Sequence, residues 1–259
     1  MCHTPAIVRR RLAVVAACFD EDFRSAAKIA RAAGFAALQL DSRLGDLDVL
    51  SLSQSGKREL QSILRSNELD LVGLRLDLGG KGLTADVDAA LDRIEKLLAA
   101  AAGLQSPLLC LDPGPIPTDQ VVDAALSELG RRADRHGVTI AFRGELAAFA
   151  ALDRALKTAA CPWFGLDLDP VAILKDDWSM DEIFSRLGGQ IRHVRARDAL
   201  AGPDHRTKPA VIGTGSVNWP RLLSDLDAAG YHGWITLDPV ELPNRRAAAT
   251  AGATSLWRA

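Results

Sequence analysis

Asp167 and Asp169 stand two residues apart in Phe164-Gly-Leu-Asp-Leu-Asp169, and in an extended strand that spacing puts both carboxylates on one face. Two carboxylates in differing surroundings can divide acid and base work. Such neighbours more often split, one making a deeper polar contact and the other reaching the strand end, so of this pair only Asp169 is a candidate catalytic group. Arg75 and Asp77 end another short apolar run; they either face the same opening or form an outward salt bridge. His205, with Arg206 and Lys208 close behind, offers contacts to an anionic substrate, in a kind of polar loop that is more often plain surface.

Other motifs carry less chemistry. Gly213-Thr-Gly-Ser lacks the third glycine and preceding strand of a dinucleotide fingerprint, and Lys81 in Leu78-Gly-Gly-Lys-Gly-Leu lacks Walker spacing, which leaves a mobile loop. There is no serine elbow, cysteine and histidine pair or zincin helix. Cys2, Cys18, Cys110 and Cys161 lie far apart without a C-x-x-C pair. That pattern argues against a zinc site and suits reduced thiols in a cytoplasmic compartment.

Short apolar runs alternate with longer helical patterns, the signature of βα units and a parallel sheet. Strands are expected at Leu12 to Cys18, Ala37 to Asp41, Leu71 to Leu76, Leu108 to Leu111, Thr139 to Phe142, Phe164 to Leu168, Ile191 to Arg195 and Trp234 to Leu237. Between them Phe23, Ala26, Ala27 and Ala30, then Val87, Ala90, Leu91, Ile94, Leu97 and Leu98, then Val121, Val122, Ala125, Leu126 and Leu129 recur at helical spacing. Gly34, Gly103, Gly137 and Gly230 follow the helices, where a left-handed cap favours glycine. The alternation predicts a single (β/α)8 barrel over residues 1–259, with no linker or second domain. Arg245 to Ala259 reads as a closing helix or loose tail, with Trp257 packed on the barrel.

With 259 residues, 48% apolar and 25% charged, the chain can fill such a core. A formal charge of −2 with mixed signs argues against nucleic acid or an anionic membrane as partner and favours a small molecule. Arg9-Arg10-Arg11 before Leu12-Ala-Val-Val-Ala-Ala-Cys18 imitates a lipoprotein signal. The apolar stretch is very short for one, and a buried first strand is the expected reading.

Ile191-Arg-His-Val-Arg195-Ala-Arg-Asp198, then Gly213-Thr-Gly-Ser-Val-Asn-Trp219, then Gly230-Tyr-His-Gly-Trp-Ile-Thr-Leu-Asp238, resemble the last two strands of the xylose isomerase-like sugar phosphate isomerase/epimerase family. Ala32-Ala-Gly-Phe-Ala-Ala-Leu-Gln and His136-Gly-Val-Thr-Ile-Ala-Phe resemble its second and fifth strands. The resemblance implies a TIM barrel with a divalent metal at its C-terminal mouth, held by Glu, Asp, His and Glu from strands five to eight. The metal would polarise sugar oxygens while the glutamates move a proton between neighbouring carbons.

Carried over by position, the strand-five Glu becomes Arg143, the Asp is kept as Asp169, the His becomes Arg195 and the last Glu shortens to Asp238. A further family His falls on Ala172, and a second-strand Glu on Gln39. Arginine is permanently protonated and has no acceptor, so it repels a cation. The expectation is a mouth without a metal cofactor, in which Arg143 and Arg195 pair with Asp169 and Asp238, the two aspartates being the candidate catalytic groups. Substrate contacts are then expected from Arg75, Arg143, Arg195, Asp198, His205 and Lys208. Strand parity also permits a slip of two residues on strands five and seven, which would offer Mn, Mg or Zn the set Asp169, Asp238, Glu145 and His193. Three readings stay open: a metal-free barrel binding a small polyol, sugar or sugar acid with little isomerase activity, an active metal-dependent isomerase or epimerase with a rearranged site, and a non-catalytic scaffold.

Overall fold

The leucines and isoleucines that alternate through the strands point outward onto helices, and the residues between them point into a closed ring. The computed structural model describes residues 11–80, 82–84, 86–117, 120–143, 149–176 and 179–258. Eight parallel strands close it: β1 (Leu12–Val15), β2 (Ala37–Asp41), β3 (Asp70–Asp77), β4 (Leu108–Asp112), β5 (Thr139–Arg143), β6 (Phe164–Leu168), β7 (Ile191–Ala196) and β8 (Ile235–Leu237). Each pairs with its chain neighbour, and β8 returns to β1 with Leu12 opposite Ile235. The first strand stops three residues short of the expected Cys18, because nothing pairs beyond Val15 and Ala16–Cys18 coil into a 3-10 turn.

The helices bury the stripes that their spacing requires. In α1 (Phe23–Ala32), Phe23, Ala26, Ala27 and Ala30 are buried, and the Asp22 carboxylate caps the first turn by accepting from Ser25 N. In α2 (Gln54–Ser66) the buried set is Leu60, Ile63 and Leu64. In α3 (Val87–Gly103) it runs from Ala90 to Ala101, and in α4 (Gln120–His136) it includes Val122, Ala125, Leu126 and Leu129. Val121 lies off that stripe and is exposed, contrary to its expected place. Gly34, Gly137 and Gly230 take the left-handed conformation; Gly103 does not, since α3 continues through it and Gln105 supplies the left-handed turn instead.

The chain is completed by α5 (Phe149–Ala159), α6 (Pro170–Asp176), α7 (Met180–Leu187), α8 (Trp219–Ala228) and α9 (Arg245–Arg258). Trp257 is half exposed, with its ring edge beside Gly34. Arg9, Arg10 and Lys81 lie outside the described residues. The segment after β3, expected to be mobile, is tied to the end of β4: Leu78 N donates to Asp112 O and Leu83 N to Pro113 O. Among the described residues no helix is long and apolar enough to cross a membrane.

Asp198 organises the link between β7 and α8. Its carboxylate accepts from the backbone N–H groups of Ala199, Gly213, Gly215 and Val217 and from Trp219 Nε1. A Cβ on Gly215 would lie 2.1 Å from the Asp198 carboxylate, which explains the second glycine of Gly213-Thr-Gly-Ser. Asp198→Ala strands those donors and is expected to cost about 2 kcal/mol in urea unfolding. An unchanged midpoint would show that the loop is not held by this carboxylate.

Candidate functional site

Strand pairing sets the heights of the inward groups. A register irregularity at Leu166/Asp167 brings Asp167 opposite His193, and regular pairing puts Arg143 opposite Asp167 and Arg195 opposite Thr236. The result is two rings at the C-terminal end of the barrel. The lower ring contains Gln39, Cys110, Asp167, His193 and Thr236, all buried. Gln39 Nε2 donates to Cys110 Sγ at 3.1 Å, His193 Nδ1 lies 2.5 Å from Asp167 Oδ1, and His193 Nε2 lies 2.7 Å from Thr236 Oγ1.

The upper ring is a chain of ion pairs. Arg195 binds the Asp238 carboxylate, and the two side chains are 5% and 1% exposed. Arg75 Nη1 reaches the same Asp238 Oδ2 at 2.7 Å while its Nε binds Asp41. Arg143 binds Asp112 and lies 4.0 Å from Asp77. Arg197 spans Asp169, at 2.6 Å, and Glu241, at 2.8 Å.

These pairs enclose a cavity of about 570 Å³ at the mouth, lined by Arg75, Asp112, Arg143, Arg195, Arg197 and Asp238 among others, with Cys110 and Asp167 at its floor. Burial alone would raise the carboxyl pKa of Asp238, but Arg195, then Arg75 and Arg197, hold it well below the usual carboxylate range. Burial likewise opposes ionisation of Asp167, and His193 followed by Arg195 and Arg143 reverses that. The Cys110 thiol is pushed well up, by burial first and the Asp167 charge second.

Of the residues singled out by sequence, Arg75, Arg143, Arg195 and Asp238 converge on this cavity. The expected pairing is corrected in part: Arg195 does bind Asp238, but Arg143 turns to Asp112, and Asp169 is held by Arg197. Asp169 also accepts from Val171 N, which starts α6, and Asp167 rather than Asp169 reaches the cavity floor. Asp198, His205 and Lys208 are not among the described residues lining the cavity; Asp198 serves the loop, and the other two are exposed on the hairpin of Asp198–Ala201 and Thr207–Ala210. Glu145 lies outside the described residues. His193 is turned to Asp167 and Thr236.

Asp41, Cys110, Asp112 and Arg197 are contributors that the sequence reading missed. A signal was present: Leu38-Gln-Leu-Asp41, Leu74-Arg-Leu-Asp77, Leu109-Cys-Leu-Asp112, Leu166-Asp-Leu-Asp169 and Ile235-Thr-Leu-Asp238 repeat one strand ending. In each, the apolar pair packs outward, and the aspartate lies on the inward parity at the rim.

A divalent ion held by the positions of Arg143, Asp169, Arg195 and Asp238 does not fit this arrangement. Two of the four are guanidinium donors, and both aspartates already carry one. The fold and mouth define a (β/α)8 barrel whose chemistry faces the C-terminal ends of its strands. The family model of the xylose isomerase-like TIM barrel matches residues 27–257, and the chain belongs to that family. Similar solved structures include a xylose isomerase domain protein from Planctomyces limnophilus, at 16% identity and TM-score 0.80, covering 96% of this chain and 97% of that one. A D-allulose 3-epimerase from Methylomonas sp. is 18% identical with TM-score 0.72, each chain covered to 96%. A probable 3-DHS dehydratase from Bacillus anthracis is 14% identical with TM-score 0.76, covering 95% of this chain and 98% of that one. No curated protein matches the sequence. At such identities the likeness speaks for the fold alone, and the site must speak for the chemistry.

Proposed function

We propose that this barrel binds a small polyhydroxylated carbohydrate, a polyol, sugar or sugar acid, at its mouth without a metal at the family position, and has little or no isomerase activity. The observation that carries this reading is the Arg75–Asp238–Arg195 bridge, which puts two guanidinium groups on the carboxylate where the last family ligand belongs. Each guanidinium presents a fork of donors, matched to a sugar carboxylate or to hydroxyl lone pairs. Asp238 Oδ1, buried and without a hydrogen-bond partner, is an acceptor for a hydroxyl. Epimerase chemistry in the family's manner needs free carboxylates and a Lewis acid; here Asp238 and Asp169 are each ion-paired. Membership of the xylose isomerase-like family supports a carbohydrate as the ligand class.

The test is calorimetric titration of sugar acids, the matching neutral sugars and polyols into EDTA-treated protein, beside a thermal melt with Mn²⁺. Binding without metal is expected, with no appreciable Mn²⁺ shift of the melting temperature. Strong Mn²⁺ stabilisation, or ligand binding only when Mn²⁺ is added, would instead favour the metal-dependent isomerase. Failure of every carbohydrate to bind would favour a scaffold.

A further inference from the structure

The lower ring remains unused by this reading. Sγ of Cys110, a carboxylate oxygen of Asp167 and a ring nitrogen of His193 all lie within 4.8 Å of one another. They come from β4, β6 and β7, so no spacing along the sequence reveals them. We propose that Cys110, Asp167 and His193 form a binding site for a thiophilic divalent cation of the zinc type, one ring below the position where the family would hold its metal.

The donor set selects such an ion. Thiolate, imidazole and carboxylate suit zinc or cobalt, whereas manganese and magnesium prefer oxygen. One thiolate and one carboxylate balance a divalent charge, and binding releases the thiol proton to solvent. The surroundings are those of supported ligands. His193 Nδ1–H donates to Asp167 Oδ1 at 2.5 Å, and its Nε2 lies 2.7 Å from the Thr236 hydroxyl. An ion that takes Nδ1 as ligand shifts this proton to Nε2, where Thr236 Oγ1 accepts it, and Nδ1 and the Asp167 oxygen move apart to make room for the ion. Gln39 Nε2 donates to the sulfur and would stabilise it as thiolate. Arg195, the cation that acts on Cys110, is bound to Asp238 above. Cys110 and Asp167 line the cavity floor, which supplies an entry route from the mouth.

This site stands independently of the carbohydrate reading, and its test uses no enzymatic activity. Co²⁺ titrated into reduced, EDTA-treated protein is expected to bind stoichiometrically, with the near-ultraviolet charge-transfer band of a cobalt thiolate, and Zn²⁺ is expected to bleach that band. Cys110→Ser, checked for fold by circular dichroism, should abolish the band. Gln39→Met, which keeps all three ligands, should weaken Co²⁺ binding by about tenfold. Absence of the band in folded natural protein overturns the proposal, as does a band that survives in Cys110→Ser. Should Cys110→Ser fail to fold, an unweakened Gln39→Met serves as the overturning result.

Discussion

Arg195→Met is expected to lower the unfolding free energy by about 3 kcal/mol, because it leaves the buried Asp238 carboxylate with Arg75 as its remaining ion-pair partner. Methionine keeps the length of the side chain, so the loss isolates the charge from the packing. The same substitution should change the response to acid. Asp238 is held below its unfolded value, so its contribution is fully present above a pH of about 4 and fades as pH falls towards the folded pKa. Without Arg195 the folded pKa moves up and the contribution shrinks. The stability difference between natural protein and variant should therefore narrow below a pH of about 4, measured by denaturant unfolding across an acidic series. A constant difference would mean that Arg195 acts through packing alone.

The barrel was legible because its outward leucines alternate with inward residues and the helical stripes fall between them. Boundaries shifted where strand pairing, which a single sequence does not display, decided them: β1 ends at Val15, and β5 extends to Arg143. Arg75, Arg143, Arg195 and Asp238 were recognisable as mouth residues from their places at strand ends. Their partners were not. Which carboxylate meets which guanidinium depends on strand stagger and side-chain reach, and these carried Arg143 to Asp112 and gave Asp169 to Arg197. The irregularity that brings Asp167 opposite His193 has the same origin, so the Cys110, Asp167 and His193 group appears only in three dimensions. Asp198 illustrates the opposite error: an acidic strand ending in a family-like phrase, spent on five loop donors.

Arg143→Glu combined with Arg195→His is expected to create Mn²⁺ binding at the mouth, with a Kd on the order of 10 µM where the natural protein is expected to bind none. The pair replaces two cations by a carboxylate and an imidazole, on the strands from which the family draws those ligand types. Position 143 stands beside Asp112, and position 195 beside Asp238, so the new groups enter an acidic surround. Arg75 on Asp238 and Arg197 on Asp169 persist and compete with the ion, which is why tight binding is not expected. Activity need not return, since Ala172 and Gln39 still stand where the family has a His and a Glu. Removing Arg197 as well, by Arg197→Gln, should tighten Mn²⁺ further by freeing the Asp169 carboxylate. Calorimetric titration of the folded variants decides the matter. If the double variant binds no more Mn²⁺ than the natural protein, positions 143 and 195 do not converge on one site, and the substitution of guanidinium for metal fails as an account of this mouth.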